Sequence, residues 1–216
     1  AHFHARKPTQ GYRELTEAIG DEPANPLWYV ERARLYGTRG AIERAVADCD
    51  RAIQLRPDFL SAWIVRAVAN ERLEEWQRAA DDWSRCIALW PHRIDWHARR
   101  AFTYGELGAW DRAAEDYDVI IAREPDNGRA LLRRAQARIR AGQVEAALDD
   151  LVAAEALTPD NPAVYIHRAR ALLLLGRPAE ARAALRKLDA FDLEPPEDIV
   201  ETLAAEAQGG EDRPAE

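Results

Sequence analysis

Methionine is absent, lysine occurs only at Lys7 and Lys187, and there are two cysteines, Cys49 and Cys86. Two cysteines so far apart build no disulfide framework. The longest apolar run, ALLLL at 171–175, lies between Arg170 and Arg177. It is far shorter than the ~18 residues that read as a membrane span. The chain has no G-x-S-x-G, no glycine-rich phosphate loop, no H-E-x-x-H and no C-x-x-C. The signatures of a hydrolase, a nucleotide-binding enzyme, a zinc protease and a thiol oxidoreductase are therefore missing. No enzymatic activity, resident metal or cofactor is expected.

What is present suits a soluble globular protein: 216 residues, 47% hydrophobic and 31% charged, with a net charge of −8. The charge is unevenly spread. Residues 189–216 hold ten acids against Arg213 alone, which leaves residues 1–188 with 29 bases and 28 acids. A body of mixed sign carries no basic stripe for nucleic acid. The acidic end reads as a solvated, solubilising tail. Arginine in place of lysine, with much alanine, reads as the coding bias of a GC-rich bacterium.

The sequence repeats. Pro23, Pro57, Pro91, Pro125 and Pro159 recur at one fixed interval. Ala45, Ala79, Ala113, Ala147 and Ala181 keep the same step, as do Ala33, Ala67, Ala101, Ala135 and Ala169. Tyr36, Asn70, Tyr104, Arg138 and Leu172 form a looser series. Gly40, Gly108, Gly142 and Gly176 form another, with Glu74 in the second place. The period predicts a helix of about three turns that stops near the glycine. A second helix of about four turns follows and ends at or before the proline. Alanines on the facing stripes allow close approach, and stacked hairpins share a core that one hairpin cannot build alone.

Ala101, Tyr104, Gly108, Trp110, Ala113, Tyr117 and Pro125 make the clearest repeat. This pattern closely resembles the tetratricopeptide repeat family. The resemblance implies an all-α fold, an α-α superhelix of antiparallel helix pairs. It divides the chain into a flexible leader (1–8), a half repeat (9–25) and repeats 26–59, 60–93, 94–127, 128–161 and 162–190. A linker and C-terminal capping helix (191–208) and an acidic disordered tail (209–216) complete it. It also implies a protein-binding scaffold without chemistry of its own, a monomer or weak homo-oligomer with a protein or peptide partner.

Arginine recurs where the family usually has leucine: Arg32, Arg66, Arg100, Arg134 and Arg168. A guanidinium on a buried stripe needs a partner. Asp48, Asp82, Asp116 and Asp150 share one slot of the second helix. Pairing within a repeat joins Arg32 to Asp48 and leaves Arg168 facing Ala184. Pairing between repeats joins Arg32 to Glu14, Arg66 to Asp48, Arg100 to Asp82, Arg134 to Asp116 and Arg168 to Asp150. The array ends favour the second scheme, because no rung is left open. In either scheme the pairs are architectural and set register.

The concave face of the family is lined by first helices. By register it carries Val30 and Arg34, Ile64 and Val68, Phe102, Leu132, Gln136 and Arg140, and Ile166 and Arg170. This is an apolar groove with arginines at its rim, suited to an amphipathic helix or an extended, acidic peptide. Neighbouring repeats or the chain's own ends would cover part of it. Co-chaperone members that clamp a terminal carboxylate use lysine and asparagine on adjacent first helices. The matching positions here are Val30, Arg34, Ile64 and Val68, so that clamp is missing.

Other candidates are weaker. Cys49 and Cys86 occupy core slots and read as inert fillers. His92 and His97, with Trp90 and Trp96, form a junction group or a contact patch. His2 and His4 in AHFH offer imidazoles to copper or nickel. Together with a polar leader lacking Met, they raise the alternative of an exported envelope accessory protein with weak metal binding. The start itself is expected to be the mature end of a periplasmic or secreted protein, with a cytoplasmic chain as the alternative.

Overall fold

The computed structural model describes residues 8–211. Among them are twelve α-helices, one 3-10 helix and no strand. They divide at Gly108 into two compact bodies. The first holds α1 (Pro8–Asp21), α2 (Pro26–Thr38), α3 (Ile42–Leu55), α4 (Leu60–Arg72), α5 (Trp76–Leu89) and α6 (Asp95–Glu106). The second holds α7 (Trp110–Arg123), α8 (Gly128–Arg140), α9 (Val144–Leu157), α10 (Pro162–Leu174), α11 (Pro178–Leu185) and α12 (Glu197–Glu211). Within each body, consecutive helices pack on one another. Among the described residues no helix is long and apolar enough to cross a membrane.

Asparagine caps three of the first helices, α2, α8 and α10. Asn25, Asn127 and Asn161 accept backbone N–H groups of Leu27, Ala130 and Ala163, satisfying donors the helix cannot. The repeat prolines gain a role beyond stopping the helix. The carbonyl oxygens of Pro23, Pro57 and Pro159 accept hydrogen bonds from Tyr29, Trp63 and Tyr165 of the helix that follows. An aromatic of the next repeat thereby ties down each of these inter-repeat turns.

First helices end at the glycine series. After α2, Gly40 N–H donates to the Gly37 carbonyl and Ala41 N–H to the Tyr36 carbonyl, a Schellman closure that needs a left-handed residue. Gly40, Gly108, Gly142 and Gly176 all have φ near +70° to +80°. Glu74 takes the same conformation at φ 58°, where a side chain is strained.

The fifth repeat departs from the expected four-turn second helix. α11 ends after eight residues and continues as a 3-10 helix, Arg186–Phe191. Three residues per turn place Leu185, Leu188 and Phe191 on one face. That face joins Tyr165, Ile199 and Leu203 in one cluster. α12 closes this end through Ile199 and Leu203, and Arg182 donates to the Leu203 carbonyl. It runs to Glu211, into the segment expected to be disordered.

The arginine series forms clamps, in a pairing opposite to the favoured scheme. Arg32 grips Asp48 with Nε and Nη2 at 2.8 and 2.7 Å. Arg66 grips Asp82 at 3.1 and 2.7 Å, and Arg134 grips Asp150 at 3.0 and 2.5 Å. Each grip is bidentate and lies within one repeat. The remaining nitrogen, Nη1, reaches back to the preceding second helix. It meets Asp50 from Arg66 at 2.5 Å, Ser84 from Arg100 at 3.0 Å and Asp118 from Arg134 at 2.6 Å. From Arg32 it meets Thr16 of α1 at 3.5 Å.

The inter-repeat pairs of Arg32 with Glu14, Arg66 with Asp48, Arg134 with Asp116 and Arg168 with Asp150 are therefore replaced. The acid that each clamp grips stands ahead of it, in its own repeat. The link between repeats is real, but its slot is that of Asp50 and Asp118, not that of Asp48 and Asp116. Two residues turn a helix by ~200°, so Asp48 and Asp50 point to opposite neighbours. Arg168 finds Ala184 ahead and Val152 behind. It turns to Glu155 instead, and its buried Nε has no partner.

Replacing Glu74 by glycine is expected to raise stability by about 1 kcal/mol. Urea unfolding of the Glu74→Gly variant checks this, and an unchanged or lower midpoint contradicts it.

Candidate functional site

Small residues make room in the first body. Ala33 and Ala45 are almost wholly buried and Ala69 nearly so, and around them lies a cavity of about 640 Å³ lined by α1, α2, α3 and α4. Leu15 and Ile42 line it from α1 and α3, and Ile64, Val65 and Val68 from α4. Its polar lining includes Glu31, Arg34 and Arg72. Arg72 donates to the Gly37 carbonyl at 2.7 Å, tying α4 to the end of α2. Arg34 stands 3.8 Å from Glu31.

The structure brings Arg34, Ile64 and Val68 together here and moves other expected groove residues elsewhere. Val30 is fully buried with Tyr29, Ala52 and Ala62. Leu132 is buried with Leu131, Leu151 and Val164. Both are core, because neighbouring helices close over their slot. Phe102 is exposed but packs edge-on against Trp76, with ring centroids 6.1 Å apart. The lining from α1, above all Leu15, was missed. The half repeat carried apolar periodicity, but its register to the groove is set only by packing.

In the second body the expected groove residues meet other partners. Ile166 packs against the C-terminal cluster and Arg170 pairs with Asp198 of α12 at 2.7 Å. The chain's own end thus occupies this stretch. Arg140 lies over the Trp110 ring at 5.6 Å. Gln136 accepts from Arg133 through its carbonyl oxygen at 3.0 Å and meets His167 Nε2 with its amide nitrogen at 2.7 Å. That orientation requires an unprotonated Nε2. Burial, reinforced by Arg170, Arg133 and Arg140, pushes the His167 imidazole down to about 4.

The remaining candidates separate cleanly. Cys49 and Cys86 are fully buried, and burial pushes both thiols up to about 12. Trp96 and His97 pack at their junction, whereas Trp90 and His92 are exposed. His2 and His4 lie outside the described residues. Among the described residues no group of His, Cys, Asp and Glu is placed to hold a metal.

Family models described as tetratricopeptide repeat match residues 30–92, 99–162 and 138–205. The chain belongs to the tetratricopeptide repeat family. The Protein SGT1 homolog of Oryza sativa subsp. japonica is 39% identical over 62 residues, 29% of this chain and 17% of that protein. The fold is similar to YrrB, a TPR protein with an unusual peptide-binding site, at 18% identity and a TM-score of 0.72. That match covers 89% of this chain and 97% of YrrB. MamA 41-end of Desulfovibrio magneticus RS-1 is 16% identical with a TM-score of 0.68, over 77% of this chain and 94% of that one. A tetratricopeptide repeat protein from Parabacteroides merdae ATCC 43184 is 20% identical with a TM-score of 0.65, over 94% and 86%. At these identities the structural likeness carries the fold alone. The fold is that of a protein–protein interaction scaffold, and tetratricopeptide repeat proteins are generally non-enzymatic. The envelope alternative finds no support in these similarities.

His167 makes a pH test. An unfolded histidine titrates near ~6.5, so between that value and about 4 the unfolded chain binds more protons. The stability from keeping the ring neutral is complete above ~6.5 and is lost as pH falls through this window. An NMR titration should give a His167 midpoint near 4, and His167→Gln should flatten the slope of stability with pH there. A midpoint near ~6.5 contradicts the burial.

Proposed function

We propose that this protein takes a peptide or amphipathic helix in the cavity lined by α1, α2, α3 and α4. The observation that carries the reading is an apolar recess of about 640 Å³ with Ile64, Val65 and Val68 on one side and Arg34 and Arg72 in its lining. Apolar anchors would fill the recess, and acidic flanks would suit the arginines. Stacked helical repeats commonly bind partners along such faces. The peptide-binding site named for YrrB supports the same kind of use here.

Peptides selected from a displayed library on the purified protein test the proposal. Val68 is partly exposed, so Val68→Asp leaves the core intact. A buried carboxylate in the recess should weaken the selected peptides roughly tenfold or more. Val152→Asp, on an exposed position of α9, should leave them unchanged. Peptides indifferent to Val68→Asp would place the binding face elsewhere.

A further inference from the structure

A second cavity in the first body, about 310 Å³ between α3, α4 and α5, is polar. Its floor is the Arg66 clamp, with Asp50 on one side and Asp82 on the other. Asn70 lines it and is 1% exposed. Asn70 Nδ2 donates to Asp82 Oδ2 at 2.9 Å. That bond fixes the amide orientation, because a flip would set two oxygens against each other. Asn70 Oδ1 is then a buried acceptor without a donor, a costly state for a carbonyl.

The second body shows what such a cleft takes. Two repeats further on, the same slots carry Asp118, Arg134, Arg138 and Asp150. Arg134 makes the same clamp as Arg66. Arg138, at the slot of Asn70, sends its own guanidinium into the cleft. It donates to Asp150 at 2.8 Å and reaches Asp118 at 3.5 Å. Asn70 reproduces the first contact and is too short for the second. The first cleft thus keeps both carboxylates and loses the side chain that fills it.

We propose that the cleft formed by Asp50, Asn70 and Asp82 is a binding site for a guanidinium group from outside the chain, seated where Arg138 seats its own in the equivalent cleft. Asp50 and Asn70 Oδ1 accept its N–H groups from separate helices, and the Asp82 carboxylate, already held by Arg66 and Asn70, adds its charge behind them. A planar fork of donors spans such a set better than a compact ammonium. Burial raises the Asp82 carboxyl above its ordinary range despite Arg66 and Asn70, and a second cation beside it opposes that shift. Arg78 stands at the mouth and is the competing occupant within the chain.

The test is an NMR titration of the full chain, following the Asn70 side-chain amide. Methylguanidinium chloride should give a saturable shift with a dissociation constant on the order of millimolar. Methylammonium chloride at equal ionic strength should not. Asn70→Arg, which restores the filling side chain, should abolish the binding and raise the melting temperature. Should that variant not fold, Asp50→Asn removes a half-exposed negative charge and should weaken the binding. N-acetyl-L-arginine amide binding more tightly than L-arginine would assign the guanidinium to a protein side chain, and the reverse order to the free amino acid. Equal shifts from methylammonium, binding that survives in Asn70→Arg, or binding that appears only in Arg78→Ala would each overturn the proposal.

Discussion

The buried arginine clamp is the interaction on which the rest of this fold depends. A first-helix guanidinium closes its own repeat with two parallel bonds to an aspartate and uses its third nitrogen to hold the repeat before it. The aspartates are nearly sealed from water, with Asp82 and Asp150 side chains 3% and 4% exposed. The acids that link repeats are half exposed, 46% at Asp50 and 51% at Asp118. Solvent screens the latter pairs, so the strong grip shapes the hairpin and the weak one sets register between hairpins.

Register in turn creates the recess. The clamp holds α2 against α3 and α4 against α5, and the alanines between them leave space that larger residues would fill. Arg72 then bridges α4 to the end of α2. The same logic explains the polar cleft on the other side of α4. There the clamp is complete, but the slot beside it holds asparagine where the equivalent cleft of the second body holds arginine.

The helix pairs were legible because proline, glycine and alanine recur at a fixed period and each has one local meaning. The pairing rule was not. Acids stand at both Asp48 and Asp50, and at both Asp116 and Asp118. Sequence distance alone does not say which faces forward, whereas helical rotation does. The reading that no rung should be left open also misled. Arg168 does end the series with apolar residues on both sides, and the chain accepts it with Glu155. Val30 and Leu132 share a groove slot with Ile64, yet adjacent helices bury them. Arg34, Ile64 and Val68 line one recess because α2 and α4 meet directly, whereas Arg170 turns to Asp198 because α12 folds back onto it.

Double-mutant cycles at Arg66, read by urea unfolding, test the account most directly. Alanine replacements of Arg66 and Asp82 should show the largest coupling, roughly toward the upper end of the ~0.5–3 kcal/mol typical of contacting residues. Arg66 and Asp50 should show a smaller coupling, reduced further by salt. Arg66 and Asp48, which the clamp does not join, should be additive to within about 0.5 kcal/mol. A coupling between Arg66 and Asp48 as large as that with Asp82 would contradict the clamp and restore the pairing between repeats.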